Sequence, residues 1–218
     1  MDDKHYLLSL IREGEHQQQD FKYRVADACK LAKSVSAFAN TNGGRLLIGV
    51  RDDGHLSGVR SEEEIYMMHQ AAYKYCQPSA SIKFDTYRVS PSDTVSSVRG
   101  GRTIVVATIS PSDKRPVRAM DEKGRLRAYI RIADENIVAS PVHLALWQES
   151  QKAQGAVITI NDDIRQLLGV IQGSHTLNQI VRQSRLPRFR VITLLARLIR
   201  FGTLQWEYTG QQFLFRQV

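Results

Sequence analysis

One short segment of the chain has a residue pattern that could bind phosphate groups. Residues 125–132 read RLRAYIRI, in which cationic or polar side chains alternate with apolar ones. Successive side chains of a β-strand point to opposite faces, so the alternation predicts a strand with one packed face and one cationic face. The packed face comprises Leu126, Ala128, Ile130 and Ile132, and the cationic face comprises Arg125, Arg127, Tyr129 and Arg131. Because guanidinium groups match the geometry of phosphates, we expect the second face to bind a polyanion.

The C-terminal part of the chain holds the highest density of cations. From Gly155 onward eight arginines stand against three acidic residues, which gives +5 of the total formal charge of +8. Arg188 and Arg190 begin a predicted helix, the place where recognition helices present side chains to phosphates and base edges. Lys114 and Arg115 lie in an irregular basic segment between two predicted strands. These four residues are further candidates for nucleic-acid binding.

The elements around Arg188 and Arg190 are typical of a winged helix-turn-helix. Apolar residues at helical spacing predict three helices, and alternating residues on both sides of Thr209-Gly210-Gln211 predict a hairpin after them. The helices are predicted at residues 161–172, from Thr176 onward and at 188–201, and the strands at 204–208 and 212–215. Such a module binds DNA or, alternatively, serves in dimerisation or protein contact, because fold alone does not fix function.

The N-terminal part combines predicted helices with predicted strands. The helices are expected at residues 3–12, 25–39 and 61–76, and the strands at 45–50, 82–89, 103–109 and 125–132. Ser61 and Glu64 match a capping box at the start of the third helix. A further helix begins at Ser140-Pro141, and the polar run that follows it is typical of a linker. We therefore predict an α+β chain with a first domain at 1–148, a linker at 149–155 and the winged helix at 156–218.

Composition and side-chain inventory restrict the function further. The 218 residues are 42% hydrophobic and 24% charged, as in globular proteins, and the pI near 9.7 favours polyanionic partners. No apolar run approaches the roughly 20 residues that span a bilayer, and the N-terminus is acidic, so we predict a cytoplasmic protein without a membrane partner. Cys29 and Cys76 are expected to be packing residues. The histidines lack metal-ligand spacing and no serine lies in a GxSxG context, which argues against triad chemistry.

Three sequence blocks of the first domain together resemble the Schlafen AlbA-like domain family. They are Glu15-x4-Asp20-Phe21-Lys22, residues 35–50 (VSAFANTNGGRLLIGV) and Ala128-Tyr129-Ile130-Arg131. The resemblance covers approximately residues 10–140. It implies a mixed-sheet AlbA-like domain that binds DNA, with Lys22 among the residues that offset phosphate charge. The Asn42-Gly43-Gly44 step is interpreted as the turn that ends a helix, the alternative being a phosphate cradle.

The same resemblance implies a second possible function. Some Schlafen relatives are metal-dependent ribonucleases, and their acids match Glu15, Asp20 and Asp52 in this sequence. Three converging carboxylates would bind Mg²⁺ or Mn²⁺ and activate water for phosphodiester cleavage, so these residues are candidate metal ligands and catalytic residues. The alternative interpretation is that Glu15 and Asp20 are solvated loop acids and that Asp52-Asp53-Gly54 forms a tight turn.

These observations favour a nucleic-acid-binding protein, with DNA as the preferred partner and transcriptional regulation as the role. The alternatives are the metal-dependent endoribonuclease and a non-catalytic module that senses a nucleotide or a partner. No cofactor is predicted for the DNA-binding function. Winged-helix regulators often read two half-sites as dimers, so we also expect a homodimer.

Overall fold

The computed structural model describes residues 3–89, 102–152 and 158–218, and the chain divides into two compact units, Met1–Val138 and Ala139–Val218. The division lies ten residues before the expected domain end at 148. The reason is that the helix starting at Pro141 packs with the second unit, where Val142 lies in the core. The expected linker, 149–155, is described only as far as Lys152, and Glu149 and Ser150 still belong to that helix.

The first unit contains three α-helices and eight strands within the described residues. The helices are α1 (Asp3–Glu13), α2 (Ala28–Asn40) and α3 (Ser61–His69), and α3 continues into a π-helical turn, Gln70–Lys74. The strands are β1 (Gln19–Lys22), β2 (Gly44–Ile48), β3 (Cys76–Gln77), β4 (Ile82–Val89), β5 (Arg102–Ile109), β6 (Arg118–Met120), β7 (Leu126–Ile132) and β8 (Glu135–Val138). The expected α+β class is confirmed.

These strands form two four-stranded sheets. The first has the order β1-β2-β5-β4, with β1 parallel to β2 and the other pairs antiparallel, which is the mixed sheet that was expected. The second has the order β3-β6-β7-β8 and is antiparallel throughout. Helix α2 shares one core with apolar residues of both sheets, and most of its side chains are buried.

Two polar side chains of α2 attach the second sheet to this helix. The Asn40 amide donates to the carbonyl oxygens of Val117 and Tyr129 at 2.8 and 2.9 Å, and its own oxygen accepts from the Val117 amide at 2.7 Å. The Ser36 hydroxyl donates to the Val117 oxygen and accepts from the Tyr129 amide. Both side chains are buried, so these bonds satisfy groups that would otherwise be costly to bury.

The capping box expected at Ser61 and Glu64 is wrong. The residue that precedes α3 is Arg60, and it makes no side-chain capping bond. The Glu64 carboxylate is buried instead and accepts a hydrogen bond from the Val25 amide at 2.7 Å. Burial raises the pKa of the Glu64 carboxyl, and the bond from Val25 opposes that rise. The glutamate of this motif is bonded to a residue 39 positions earlier in the chain, which a local sequence pattern does not reveal.

The second unit has the winged helix-turn-helix pattern of helices followed by a small antiparallel sheet. Its helices are α4 (Pro141–Ser150), α5 (Asp162–Val170), α6 (Leu177–Ser184) and α7 (Arg188–Arg200), and its strands are β9 (His175–Thr176), β10 (Leu204–Tyr208) and β11 (Phe213–Gln217). The order of the sheet is β10-β11-β9. Asn161 caps α5, and Thr176 and Gln179 form a capping box on α6. No helix among the described residues is long and apolar enough to cross a bilayer.

A histidine is buried beneath the wing of this unit. His143 is 4% exposed, and its Nδ1 accepts a hydrogen bond from the Ser140 amide in the capping box of α4. Its ring meets those of Trp206 and Phe213 edge-on, with centroids 4.6 and 4.7 Å away. Burial lowers the pKa of His143 to about 4, because the charged imidazolium would lose its hydration there.

Acid should therefore destabilise the second unit between about pH 6.5, the ordinary pKa of histidine, and about pH 4. In that window the unfolded chain binds a proton that the folded chain excludes. The free energy of unfolding therefore decreases as the pH is lowered, by about 3 kcal/mol across the whole window. Urea unfolding followed by tryptophan fluorescence measures this, because both tryptophans, Trp147 and Trp206, lie in the second unit.

The matched variants are His143→Gln and His175→Gln. Glutamine at position 143 can still complete the capping box but does not titrate, so its unfolding free energy should vary less with pH in this window. His175→Gln, which removes a histidine of the same unit that is only half-buried, should keep the wild-type dependence. Equal pH dependence in the wild type and His143→Gln would contradict the assignment.

Candidate nucleic-acid interface

Asp20 forms ion pairs with two cationic side chains inside the first unit. Its side chain is 7% exposed, and its two oxygens lie 2.6 Å from the Lys22 ammonium and 3.2 Å from the Arg131 guanidinium. The neighbouring Glu15 accepts a hydrogen bond from the Phe21 amide. Burial raises the pKa of the Glu15 carboxyl, the Phe21 amide opposes the rise, and Asp20 adds to it. Glu15 and Asp20 are thus neighbours.

Asp52 does not join them in a metal site. It is exposed in the turn that follows β2, where the Gly54 amide donates to the Arg51 oxygen and the Asp53 carboxylate accepts from the His55 amide. In the described ranges no three His, Cys, Asp or Glu side chains are grouped so that they could hold a metal ion. The arrangement at Asp52 matches the turn interpretation, and the Asp20 carboxylate is occupied by an ion-pair network.

The expectation of one exposed cationic face on β7 is wrong at two of its four positions. Arg125 and Arg127 are exposed, but Tyr129 and Arg131 are 7% and 1% exposed. Tyr129 belongs to the core around α2, and the Arg131 guanidinium lies over the Phe38 ring, 5.1 Å from its centroid. The middle of β7 is buried on both faces, because α2 packs against the face that the alternation assigned to solvent.

The other cations expected to bind nucleic acid in this unit differ in their exposure and in whether they form hydrogen bonds or ion pairs within the protein. Lys114 is exposed, whereas the partly buried Arg115 donates to the Thr41 oxygen at 3.0 Å. Arg125 pairs with Asp121 at 2.8 Å. Lys22 is about one-third exposed beside Asp20. Lys114 and Arg127 therefore present the most accessible charges of this expected set.

The Asn42-Gly43-Gly44 step has a structural explanation. Gly43 has φ of +72°, and a Cβ placed there would lie 2.8 Å from the Ile109 oxygen and from the Pro111 ring. A Cβ at Gly44 would overlap the Phe38 ring. Both positions require glycine for conformation or close packing, which supports the interpretation as a helix-ending turn.

In the winged helix three arginines are paired with the acids that follow residue 155. Arg165 pairs with Asp162 at 3.0 Å, Arg190 with Asp163 at 2.7 Å and Arg216 with Glu207 at 3.9 Å. Arg188, expected with Arg190 at the start of the third helix, is exposed and donates to the Asn178 oxygen at 2.7 Å. Helix α7 thus begins with two arginines whose positions are fixed by neighbouring side chains.

Three residues that the sequence reasoning did not select as site residues lie beside these arginines. Arg182 and Arg185 are exposed at the end of α6 and in the turn after it, and the described residues around them include no acid paired with either. Phe189, between Arg188 and Arg190, is 72% exposed. The signal was present in the sequence, because residues 185–190 read RLPRFR and place cations on both sides of the turn.

Comparison with known protein families gives a match that covers most of the first unit. The family model described as Schlafen, AlbA_2 matches residues 15–140. Among solved structures, the crystal structure of the DIP2311 protein from Corynebacterium diphtheriae is 19% identical with a TM-score of 0.43. That alignment covers 98% of this chain and 39% of the other, so the chain spans well under half of that protein's length. No curated protein matches the chain.

The ion-pair network around Asp20 predicts a difference between two aspartates. Asp20→Ala should destabilise the first unit by about 3–5 kcal/mol, because it leaves the Arg131 guanidinium buried without its carboxylate. Asp52→Ala should change the stability by less than about 0.5 kcal/mol, as is usual for an exposed position. Urea unfolding followed by far-ultraviolet circular dichroism measures both, while tryptophan fluorescence, which reports only on the second unit, should not change.

A metal site shared by these residues would behave differently. Mn²⁺ would then raise the unfolding temperature of the wild type, and either variant would abolish the rise. That outcome, together with similar losses of stability in the two variants, would refute the ion-pair role of Asp20.

Proposed function

Since the family model matches more than half of its length, this chain belongs to the Schlafen AlbA_2 family, and on that premise we propose that it is a DNA-binding transcriptional regulator. The winged helix supplies the principal contact with duplex DNA, and the AlbA_2 domain supplies a second cationic surface. The observation that carries the proposal is the concentration of arginines around the turn between α6 and α7.

The distribution of ion pairs makes this turn the cationic part of the winged helix. The acids of residues 158–218 pair with arginines on α5, at Arg190 and on β11. Arg182, Arg185 and Arg188 stay exposed around the turn and have no carboxylate partner among the described pairs. Phosphate oxygens accept paired hydrogen bonds from guanidinium groups, so this surface fits a nucleic-acid backbone.

The start of α7 adds two further features that favour an anion. Pro187 precedes the helix and makes no side-chain capping bond, and the first turn of the helix contains no acidic residue. The positive end of the helix dipole and the first amides of the helix therefore act together with Arg188. Polar side chains of Thr176, Asn178 and Gln212 line a cleft of about 260 Å³ beside Arg188, between α6 and β11.

The contribution of the AlbA_2 domain is proposed for its accessible cations. Arg125 just before β7 and Arg127 near the start of that strand, together with Lys114 and Lys22, would contact phosphates without reading sequence. Regulation through paired half-sites would need two copies of the winged helix, so we extend the proposal to a homodimer. The nuclease alternative lacks a comparable observation, since Asp20 is engaged by Lys22 and Arg131.

Binding to duplex DNA should weaken steeply as the salt concentration rises, because each neutralised phosphate releases counterions. The Arg188→Ala/Arg190→Ala variant should bind more weakly, and its slope of log K against log salt should be smaller by about 1 to 2, or about 0.9 for each phosphate contact that is lost. Fluorescence anisotropy with a labelled duplex measures both quantities. An Arg182→Ala/Arg185→Ala variant should show a similar loss.

The matched control is Arg165→Ala, which removes one arginine charge from α5 and should keep the slope of the wild type. It is compared with Arg188→Ala alone, which also removes one charge and should lower the slope. Absence of DNA binding at low salt, or equal affinity in the wild type and the double variant, would refute the winged-helix contact. Tighter binding to duplex RNA than to duplex DNA of the same length would refute DNA as the partner.

A further inference from the structure

Phe189 is an apolar side chain that the fold leaves in solvent. It is the second residue of α7 and is 72% exposed, and only Val218 is more exposed among the large hydrophobic residues described. The core of the second unit is filled by other residues of the same helix, namely Val191, Leu194, Leu195 and Leu198. Removing Phe189 would therefore cost the fold little.

The backbone beneath this ring is held in place. Its carbonyl oxygen accepts a hydrogen bond from the Thr193 hydroxyl at 3.0 Å. The preceding Arg188 is bonded to Asn178, and the following Arg190 is paired with Asp163. Phe189 is thus an exposed aromatic side chain on a helical turn whose neighbouring residues are hydrogen-bonded or ion-paired, as is typical of contact residues at binding surfaces.

One side of α7 is accessible over the first two turns of the helix. Helix α4 packs against α7, and Ala196 is fully buried. Phe189 and Thr193, spaced four residues apart and both exposed, lie on the same face of the helix, with the partly exposed Arg197 next along it. This strip, Phe189-Thr193-Arg197, is the face of α7 that could enter a groove.

The positive charge around Phe189 favours a polyanion as the partner that binds this strip. Arg188 and Arg190 flank the ring along the chain, and Arg185 lies in the turn that leads to it. In the major groove an α-helix meets base edges whose groups are hydrogen-bond donors and acceptors, apart from the 5-methyl group of thymine. A phenyl ring forms no ordinary hydrogen bond to the polar groups, but it packs well against the methyl group.

We infer that Phe189 reads the 5-methyl group of a thymine in the major groove, so that the protein distinguishes thymine from uracil and cytosine at one position of its site. This inference rests on the proposed DNA-binding function and names the feature of the base that the winged helix recognises. The arginines supply affinity for phosphates, and Phe189 supplies dependence on the base.

The experiment starts from a duplex selected by the wild-type protein from a library of randomised DNA. Each thymine of the selected site is replaced in turn by deoxyuridine, which removes the methyl group alone. At one position the wild type should lose about four-fold in affinity, the value of burying one such group. Phe189→Ala should bind the thymine and uracil duplexes equally, with an affinity close to that of the wild type for the uracil duplex.

Phe201→Ala is the matched control. Phe201 is a partly exposed phenylalanine just after the other end of α7, and its removal should leave the thymine preference intact. Tryptophan fluorescence checks that both variants fold. A salt-dependent affinity that the Arg188→Ala/Arg190→Ala variant loses, with equal binding of thymine and uracil duplexes by the wild type, would overturn the inference and keep the proposed function.

Two other outcomes would also overturn it. Loss of a dimer in Phe189→Ala, measured by light scattering, with the preference for thymine unchanged, would assign the ring to a contact between copies of the chain. Absence of any DNA binding by the wild type would remove both the inference and the proposed function.

Discussion

The buried amide of Asn40 is the constraint on which the first unit depends. Through it, the end of α2 is bonded to Val117 and Tyr129, which belong to the segment before β6 and to β7. A buried amide that satisfies backbone groups of two segments fixes their positions more strictly than apolar contact does, because displacement of either segment leaves polar atoms without partners. The second sheet is therefore held at one place on α2.

The pair of Asp20 and Arg131 constrains the same sheet two residues farther along β7 than Tyr129. Asp20 lies on β1 of the first sheet and Arg131 on β7 of the second, so the pair connects two sheets that share no strand. A buried ion pair contributes little net stability against an apolar replacement, but it is costly to break. A slip of β7 by one residue would turn Arg131 to the opposite face, so the pair and the bonds of Asn40 favour the same register.

The parts of the structure that could be predicted from the sequence are those that depend on local residue patterns and not on distant partners such as these. Helix α7, strands β4 and β5 and the wing were predicted because their apolar spacing is local and strong. Strands β3, β6 and β9 contain two or three residues each and exist only through pairing with distant segments. The faces of β7 were misassigned for a related reason: the partner of Arg131 is Asp20, 111 residues earlier in the chain. Of the candidate site, local charge density was readable from the sequence, whereas burial and ion pairing were not.

The pairing of charges also bears on how the winged helix would approach DNA. Pairs with Asp162, Asp163 and Glu207 engage three arginines, whereas Arg182, Arg185 and Arg188 surround the turn before α7. Helix α4 covers one side of α7, and the core of the unit covers another. The cations lie at the start of α7, and other elements cover two sides of the helix. In the proposed complex the first turns of α7 would therefore enter the major groove. Phosphate contacts in that complex would fix the depth of the helix, and the depth would decide which side chains reach the bases.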